Sequence, residues 1–312
     1  MMADEITFEA VTPAHPDAEA LMALLDAEVL DIYWDAGDIE TGALSDELKA
    51  AFNGVFLVAR RNGAPVACGG VLVMDETMCE LRRVYALPEE RGTGLARRLV
   101  AELEHAASEL GMSRVALETG DRQTRAIGFY EALGYSQIPL YGEHEGKWWA
   151  ICYEKRILPA NITFEPATPD VPEVAALLTD YEKEFLSFNT REETGWLGSA
   201  AHQGLEMMLV RRDGRPVGCG GIRMEGPKTA ELKRMYVIPD ERSRGIATEL
   251  VSRLERVAAE QGATRMVLDT TPRMETAVRL YERLGYVRTQ PFLRHNSGAG
   301  MPALIYFEKA LA

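Results

Sequence analysis

Between Leu95 and Leu110 the apolar residues fall at Leu95, Leu99, Val100, Leu103, Ala107 and Leu110, the 3.6-residue period of a helix with one buried face, ended by Gly111. The same spacing returns at Ile246, Leu250, Val251, Leu254, Val257 and Ala258, ended by Gly262. Ahead of each helix the apolar residues run continuously over 54–60 and 65–74, and over 207–211 and 216–224. Asn62-Gly63 and Asp213-Gly214 split these runs, and both pairs tolerate the positive φ of a tight hairpin turn. Further strands are predicted over 80–86, 115–118 and 266–269, a second helix ends at Gly134 or Gly285, and a terminal strand closes each series. At the front of each series stand a short strand (6–9, 162–165) and a helix (17–30, 172–188). This order predicts an α/β fold in which a mixed sheet is flanked by helices.

The two series are one pattern written twice. Cys79-Glu80-Leu81-Arg82-Arg83-Val84-Tyr85 and Ala230-Glu231-Leu232-Lys233-Arg234-Met235-Tyr236 lie 151 residues apart, and the same offset carries Gly69 to Gly220 and Tyr130 to Tyr281. Repetition at that period points to duplication of a whole domain, and 312 residues hold two domains of about 150 residues each. The expected domains are 1–157 and 161–312.

Charge separates the halves: residues 1–158 carry 14 basic and 27 acidic side chains, the rest 20 and 21, within a net −14. Asp26, Glu28, Asp31, Asp35, Asp38, Glu40, Asp46 and Glu47 crowd a stretch in which no Lys or Arg precedes Lys49. Such a field repels nucleic acid and draws a cationic ligand, or else it is a solvated face kept for solubility. Cys68 and Cys219 sit inside apolar strands and none of the four cysteines has Cys-x-x-Cys spacing, so they read as core residues, and no metal site is expected. The first residues lack a basic segment followed by an apolar run, and no stretch approaches a bilayer-crossing length, so a soluble, cytoplasmic chain without a membrane partner is expected.

Arg91-Gly92-Thr93-Gly94-Leu95-Ala96 and Arg242-Ser243-Arg244-Gly245-Ile246-Ala247 each join a strand to a helix. Small residues there let backbone N–H groups approach a ligand, and the helix start adds unpaired donors and a positive dipole end, so an anion fits. Neither loop has the Gly-Lys-Ser/Thr of a nucleoside-triphosphate loop or the three-glycine dinucleotide fingerprint. With the later Ala126-Ile127-Gly128-Phe129-Tyr130-Glu131-Ala132-Leu133-Gly134-Tyr135 and Ala277-Val278-Arg279-Leu280-Tyr281-Glu282-Arg283-Leu284-Gly285-Tyr286, the chain resembles the GNAT superfamily of acyl-CoA-dependent N-acetyltransferases over nearly its whole length. The resemblance implies two tandem GNAT-like domains, each with a mostly antiparallel mixed sheet. It also implies acetyl-CoA as co-substrate, leaving as coenzyme A. By it, loop residues 91–96 and 242–247 cradle the pyrophosphate. Val84, Tyr85 and Ala86, with Met235, Tyr236 and Val237, hold the pantetheine arm along a strand that bulges near Val84 and Met235. Many relatives carry an Asn seven residues before the tyrosine that touches the cofactor; Gln123 and Met274 stand there instead.

Acetyl transfer to an amine requires a proton taken from the ammonium and one given to the departing thiolate. By resemblance, Glu80 and Glu231 are the bases and Tyr130 and Tyr281 the acids. From the residues alone, the glutamates are equally strand carboxylates paired with Arg82 or Arg83, and the tyrosines equally core aromatics. Asp31-Ile32-Tyr33-Trp34-Asp35, with Tyr141-Gly142-Glu143-His144-Glu145 and Trp148-Trp149, sets aromatics among carboxylates and suits a cationic small-molecule or peptide amine, with Trp34 and Asp35 the substrate-binding candidates. Alternatively these tryptophans cement the two halves. The second copy offers Phe188, Asn189, Arg191 and Trp196, then Arg294-His295-Asn296, a more neutral roof. His144 and His295 read as loop histidines without a role. Open alternatives are two active halves, an active amino-terminal half alone, and a non-catalytic acyl-CoA sensor.

Overall fold

The structure is a computed structural model and describes residues 5–35, 44–45, 49–188, 202, 204–292 and 304–311. The chain divides into two compact units, Met1–Ala160 and Asn161–Ala312.

Unit 1 runs β1 (Ile6–Val11), α1 (Pro16–Ile32), β2 (Gly54–Arg61), β3 (Ala64–Val73), β4 (Met78–Ala86), α2 (Leu95–Glu109), β5 (Arg114–Gly120), α3 (Thr124–Ala132), β6 (Ser136–Ile138) and β7 (Ala150–Arg156). Its sheet is ordered β1-β2-β3-β4-β5-β7-β6. Only β4 and β5 pair in parallel, and every other neighbouring pair is antiparallel. Unit 2 repeats the plan with β8 (Ile162–Ala167), α4 (Pro172–Phe188), β9 (Glu206–Arg212), β10 (Arg215–Met224), β11 (Thr229–Val237), α5 (Ile246–Glu260), β12 (Arg265–Thr270), α6 (Glu275–Arg283), β13 (Val287–Thr289) and β14 (Ile305–Ala310). Here β11 and β12 form the parallel pair. Each unit is thus a mixed, mostly antiparallel seven-stranded sheet with helices.

The period of two in a strand explains why β2 reads as an unbroken apolar run. Val55, Leu57 and Ala59 pack with Leu95, Leu99 and Leu103 of α2, whereas Phe56 and Val58 pack with Ala18, Leu21 and Met22 of α1. Both faces of the sheet are therefore covered, and alternation with polar residues disappears. Leu99 and Leu103 have no exposed surface. All four cysteines are buried and free. At the start of α1, Pro16 occupies the first turn and the His15 side chain accepts from the Asp17 amide, so the helix begins one residue before its predicted start.

Candidate active site

The site begins where the sheet comes apart. The parallel ladder of β4 and β5 ends at Leu81↔Leu117, although β4 continues to Ala86 and β5 to Gly120. In unit 2 it ends at Glu231↔Val267. On the other edge of β4 the register slips: Cys68 faces Tyr85 and Gly70 faces Arg82, so Gly69 opposes both Arg83 and Val84. Arg83 carries the extra residue's cost with a φ of +57°, and Arg234 repeats it at +57°. A bulge therefore lies at Val84 and at Met235. Glycine opposite leaves it room: a Cβ on Gly69 would lie 3.1 Å from a Val84 methyl, and one on Gly220 would lie 2.4 Å from Met235 Sδ, so these side chains would have to shift. The Arg83 guanidinium fixes the bulge to α1 by donating to the Met22 carbonyl at 2.8 Å and to Asp26 at 2.7 Å.

Beyond β4 comes the loop. Gly94 and Gly245 are the residues before α2 and α5, both left-handed with φ of +88° and +80° and neither with a side-chain cap. The first turn of α2 contains no acidic residue; the Leu95 N–H donates to Thr93 Oγ1 at 3.3 Å, and the amides that follow it lie at the positive end of the helix dipole. The loop arginines are engaged within the protein. Arg91 donates to the Ala86 carbonyl at 3.2 Å and to both oxygens of Glu28 at 3.0 and 2.6 Å. Arg242 does the same with the Val237 carbonyl at 2.8 Å and Glu184 at 2.6 Å. These guanidiniums tie each loop to the strand end and to the first helix of its unit, and Arg244 of the second loop lies 3.4 Å from Glu241.

A cavity of about 110 Å³ fills the opening in unit 1, and Leu25, Val29, Glu80, Arg82, Val84, Glu118, Gln123, Tyr130 and Trp149 are among the residues lining it. Glu80 is fully buried. One of its oxygens accepts from Tyr141 Oη at 2.9 Å and from His144 Nε2 at 2.6 Å, and the other lies 2.7 Å from Arg82 Nε. His144 is therefore not the surface-loop histidine expected from the sequence. It is 3 % exposed, because the short turn Gly142–His144 folds back over β4 and delivers it to Glu80. Glu80, Glu143 and His144 bring their ligating atoms within 4.8 Å of one another, but the Arg82 guanidinium bridges the two carboxylates and supplies the cation.

Glu118 received no role from its sequence context. It stands just past the last rung of the β4–β5 ladder, lines the cavity, and one of its oxygens is buried without a hydrogen-bond partner among the described residues. Burial raises its pKa, and the charge of Glu80 adds to that, while His144, Lys147 and Arg82 oppose it. Tyr130 is buried, and burial together with the Glu118 charge raises its phenol far above neutrality, so it remains a proton donor. Gln123 lines the same cavity and accepts from Thr119 Oγ1 at 3.3 Å.

The acceptor-side candidates are arranged differently from expectation. Asp35 pairs with Arg122, whose hydrogen bond holds the carboxyl below its usual range, and Arg122 lies 5.2 Å over the Tyr33 ring. Trp34 is 81 % exposed and, like Asp35, does not line the cavity; Trp149 does. Asp38, Glu40, Asp46, Glu47, Asn189, Arg191, Trp196, Arg294, His295 and Asn296 lie outside the described residues. In unit 2, Glu231 is fully buried between Lys233 at 2.6 Å and Arg223 at 3.0 Å, with its pKa raised by burial. Tyr281 repeats Tyr130, its phenol raised by burial and by Tyr181 and Asp269, and Met274 packs against the core.

The family model described as Acetyltransferase (GNAT) family matches residues 25–135 and again residues 172–286. The chain belongs to the GNAT acetyltransferase family, twice over. The IAA acetyltransferase of Azospirillum brasilense is 30 % identical over 141 residues, which are 45 % of this chain and 90 % of that protein. The uncharacterized N-acetyltransferase YjgM of Escherichia coli is 36 % identical over 86 residues, 27 % of this chain and 52 % of its own. Among solved structures, a GNAT family acetyltransferase from Elizabethkingia anophelis with acetyl-CoA bound is 21 % identical, covers 49 % of this chain and 99 % of its own, and gives a TM-score of 0.38. The paia N-acetyltransferase from Thermoplasma acidophilum in complex with coenzyme A is 17 % identical, with coverages of 49 % and 99 % and a TM-score of 0.38. No helix among the described residues is long and apolar enough to cross a membrane.

Proposed function

We propose that this GNAT protein transfers the acetyl group of acetyl-CoA to a primary amine by direct attack of the amine on the thioester. The observation that carries the reading is the cavity at the parting of β4 and β5, where Glu118 and Tyr130 share one small space beside Val84. The start of α2, together with Gly92, Thr93 and Gly94, suits the diphosphate of the co-substrate, and the open edge of β4 at Val84, Tyr85 and Ala86 suits an extended pantetheine arm. The amine enters as an ammonium. Glu118 takes its proton, because its buried oxygen has no donor committed to it, whereas Glu80 already holds Tyr141, His144 and Arg82. Glu80 then acts as the fixed anion that orders this turn. As the C–S bond breaks, the thiolate takes a proton from Tyr130, which regains one from the nitrogen of the amide being formed.

In unit 2 the same parts recur as Glu231, Asp269, Tyr281 and the loop 242–247. A second reading has only unit 1 turning over external amines, and Lys233 favours it: its ammonium stands 2.6 Å from Glu231 and 3.4 Å from Asp269. The acceptor class proposed for unit 1 is a cationic small-molecule or peptide amine acting in the cytoplasm. The test is release of free thiol from acetyl-CoA across a panel of polyamines, amino sugars, basic amino acids and lysine peptides. Tight acetyl-CoA binding with no thiol released by any amine overturns the enzyme reading in favour of a sensor.

A further inference from the structure

The offset of 151 residues places Lys233 where unit 1 has Arg82, and Asp269 where it has Glu118. In unit 1 both of those positions line the cavity. The two units part at this point. Arg82 is drawn between Glu80 and Glu143 of the Gly142–His144 turn, so Glu118 keeps an oxygen without a partner. Lys233 is instead a primary amine, its side chain 12 % exposed, held 2.6 Å from Glu231 Oε1 and 3.4 Å from Asp269 Oδ1. It stands two residues before Met235, at the bulge of the strand whose edge opens beyond Glu231↔Val267. Asp269 is close enough to Tyr281 for its charge to act on that phenol. Unit 2 therefore assembles carboxylate, tyrosine and amine from its own chain, with the amine already where unit 1 has a cavity-lining side chain.

We propose that Lys233 is the acetyl acceptor of unit 2, so that the second domain modifies its own lysine. The inference rests on the reading that each unit binds acetyl-CoA. The Lys233 ammonium gives one proton to Asp269 and its free Nζ attacks the thioester carbonyl. A C–N bond forms and the C–S bond breaks. The thiolate takes a proton from Tyr281, which is restored by the second proton leaving Nζ. The products are N-ε-acetyl-lysine, coenzyme A and one proton released through Asp269. The reaction is single-turnover by construction, since the acceptor stays attached. Its product has lost the positive charge that neutralised Glu231 and Asp269, leaving Arg223 at 3.0 Å as the cation on Glu231.

The experiment uses the full chain incubated with isotope-labelled acetyl-CoA in the absence of any amine. Intact mass and peptide mass spectrometry then read which of the seven lysines carries label, while calorimetry counts acetyl-CoA sites per chain with a non-transferable thioether analogue. The expected result is two sites, and label at Lys233 accumulating at least about tenfold faster than at the other lysines, with the Tyr281→Phe and Asp269→Asn variants losing that excess, as removal of an acid or base should give. Lys233→Arg should abolish the singly labelled species and leave thiol release by unit 1 unchanged. Two binding sites with Lys233 labelled no faster than the remaining lysines overturns the self-acetylation and leaves the proposed function standing. One binding site, lost on a Gly94 substitution and indifferent to a Gly245 substitution, overturns both the self-acetylation and the coenzyme site of unit 2.

Discussion

Replacing Glu118 by Gln separates catalysis from stability with opposite signs. Glu118 lies in the cavity with one oxygen unpaired, and burial is the largest cause of a pKa above the usual 4.5. Losing a general base lowers turnover by about 10²- to 10⁴-fold, which at about 1.4 kcal/mol per tenfold is about 3–5 kcal/mol of barrier. Stability should move the other way. A carboxyl whose pKa is raised on folding contributes its full stability below the unfolded value and loses it as pH rises through the folded value, because the buried group must then ionise. The amide never ionises. Glu118→Gln should therefore melt at a higher temperature than the natural protein at pH 8 and at nearly the same temperature near pH 4. The natural enzyme's rate should rise through an acid limb centred above 4.5, and the variant should lack that limb. Thiol release against pH, paired with thermal melts at the two pH values, reads both effects. A variant that melts lower at pH 8, or that retains turnover within threefold, refutes the assignment.

Other substitutions probe the remaining parts. Glu80→Gln removes the anion to which Tyr141, His144 and Arg82 are committed; breaking a buried ion pair in this way costs about 3–5 kcal/mol, so chemical denaturation should show a large loss of stability, and an unchanged midpoint would contradict the anchoring role. Tyr130→Phe should cut turnover about a hundredfold while the Michaelis constant for acetyl-CoA holds, whereas equal turnover removes the phenol from the mechanism. Gly94→Val forces a branched side chain to a φ of +88° at the start of α2; left-handed backbone costs about 1–2 kcal/mol, and coenzyme affinity measured by calorimetry should fall about 5- to 30-fold. Leu103→Ala opens a void beneath α2 at a residue with no exposed surface, and urea unfolding should report a loss of about 2–5 kcal/mol.

Much of the architecture was legible because it is periodic. Of the apolar spacing from Leu95 to Leu110, Leu95 to Ala107 return as the buried face of α2, whereas Leu110 lies just past the helix end and is 41 % exposed; the predicted helix over 172–188 is α4 to the residue. The bulges expected by resemblance near Val84 and Met235 are present, although the positive φ of Arg83 and Arg234 has no signature in those residue types. Strands β6 and β13 were missed, since Ser136–Ile138 and Val287–Thr289 are three residues each and too short to show a period. The site was less legible because its partnerships are long-range. Nothing local tells that His144 reaches a residue 64 positions earlier, or that Asp35 is neutralised by Arg122, 87 positions later. Glu118 escaped notice for a related reason: it follows three buried residues of an ordinary strand, and only the early end of the β4–β5 ladder turns its side chain into part of an opening. Its position on β5 opposite Glu80's strand was the available signal, one that required knowing that the two strands part.

In the proposed function, backbone amides at the start of α2 and the open edge of β4 hold acetyl-CoA. Crystals of the full chain grown with millimolar acetyl-CoA test it directly. The expected density has the diphosphate at Gly92, Thr93 and Gly94, the pantetheine running as an added strand along Val84 and Ala86, and the thioester beside Glu118 and Tyr130. Crystals in which protein side chains close that opening and the coenzyme lodges elsewhere or not at all would contradict it.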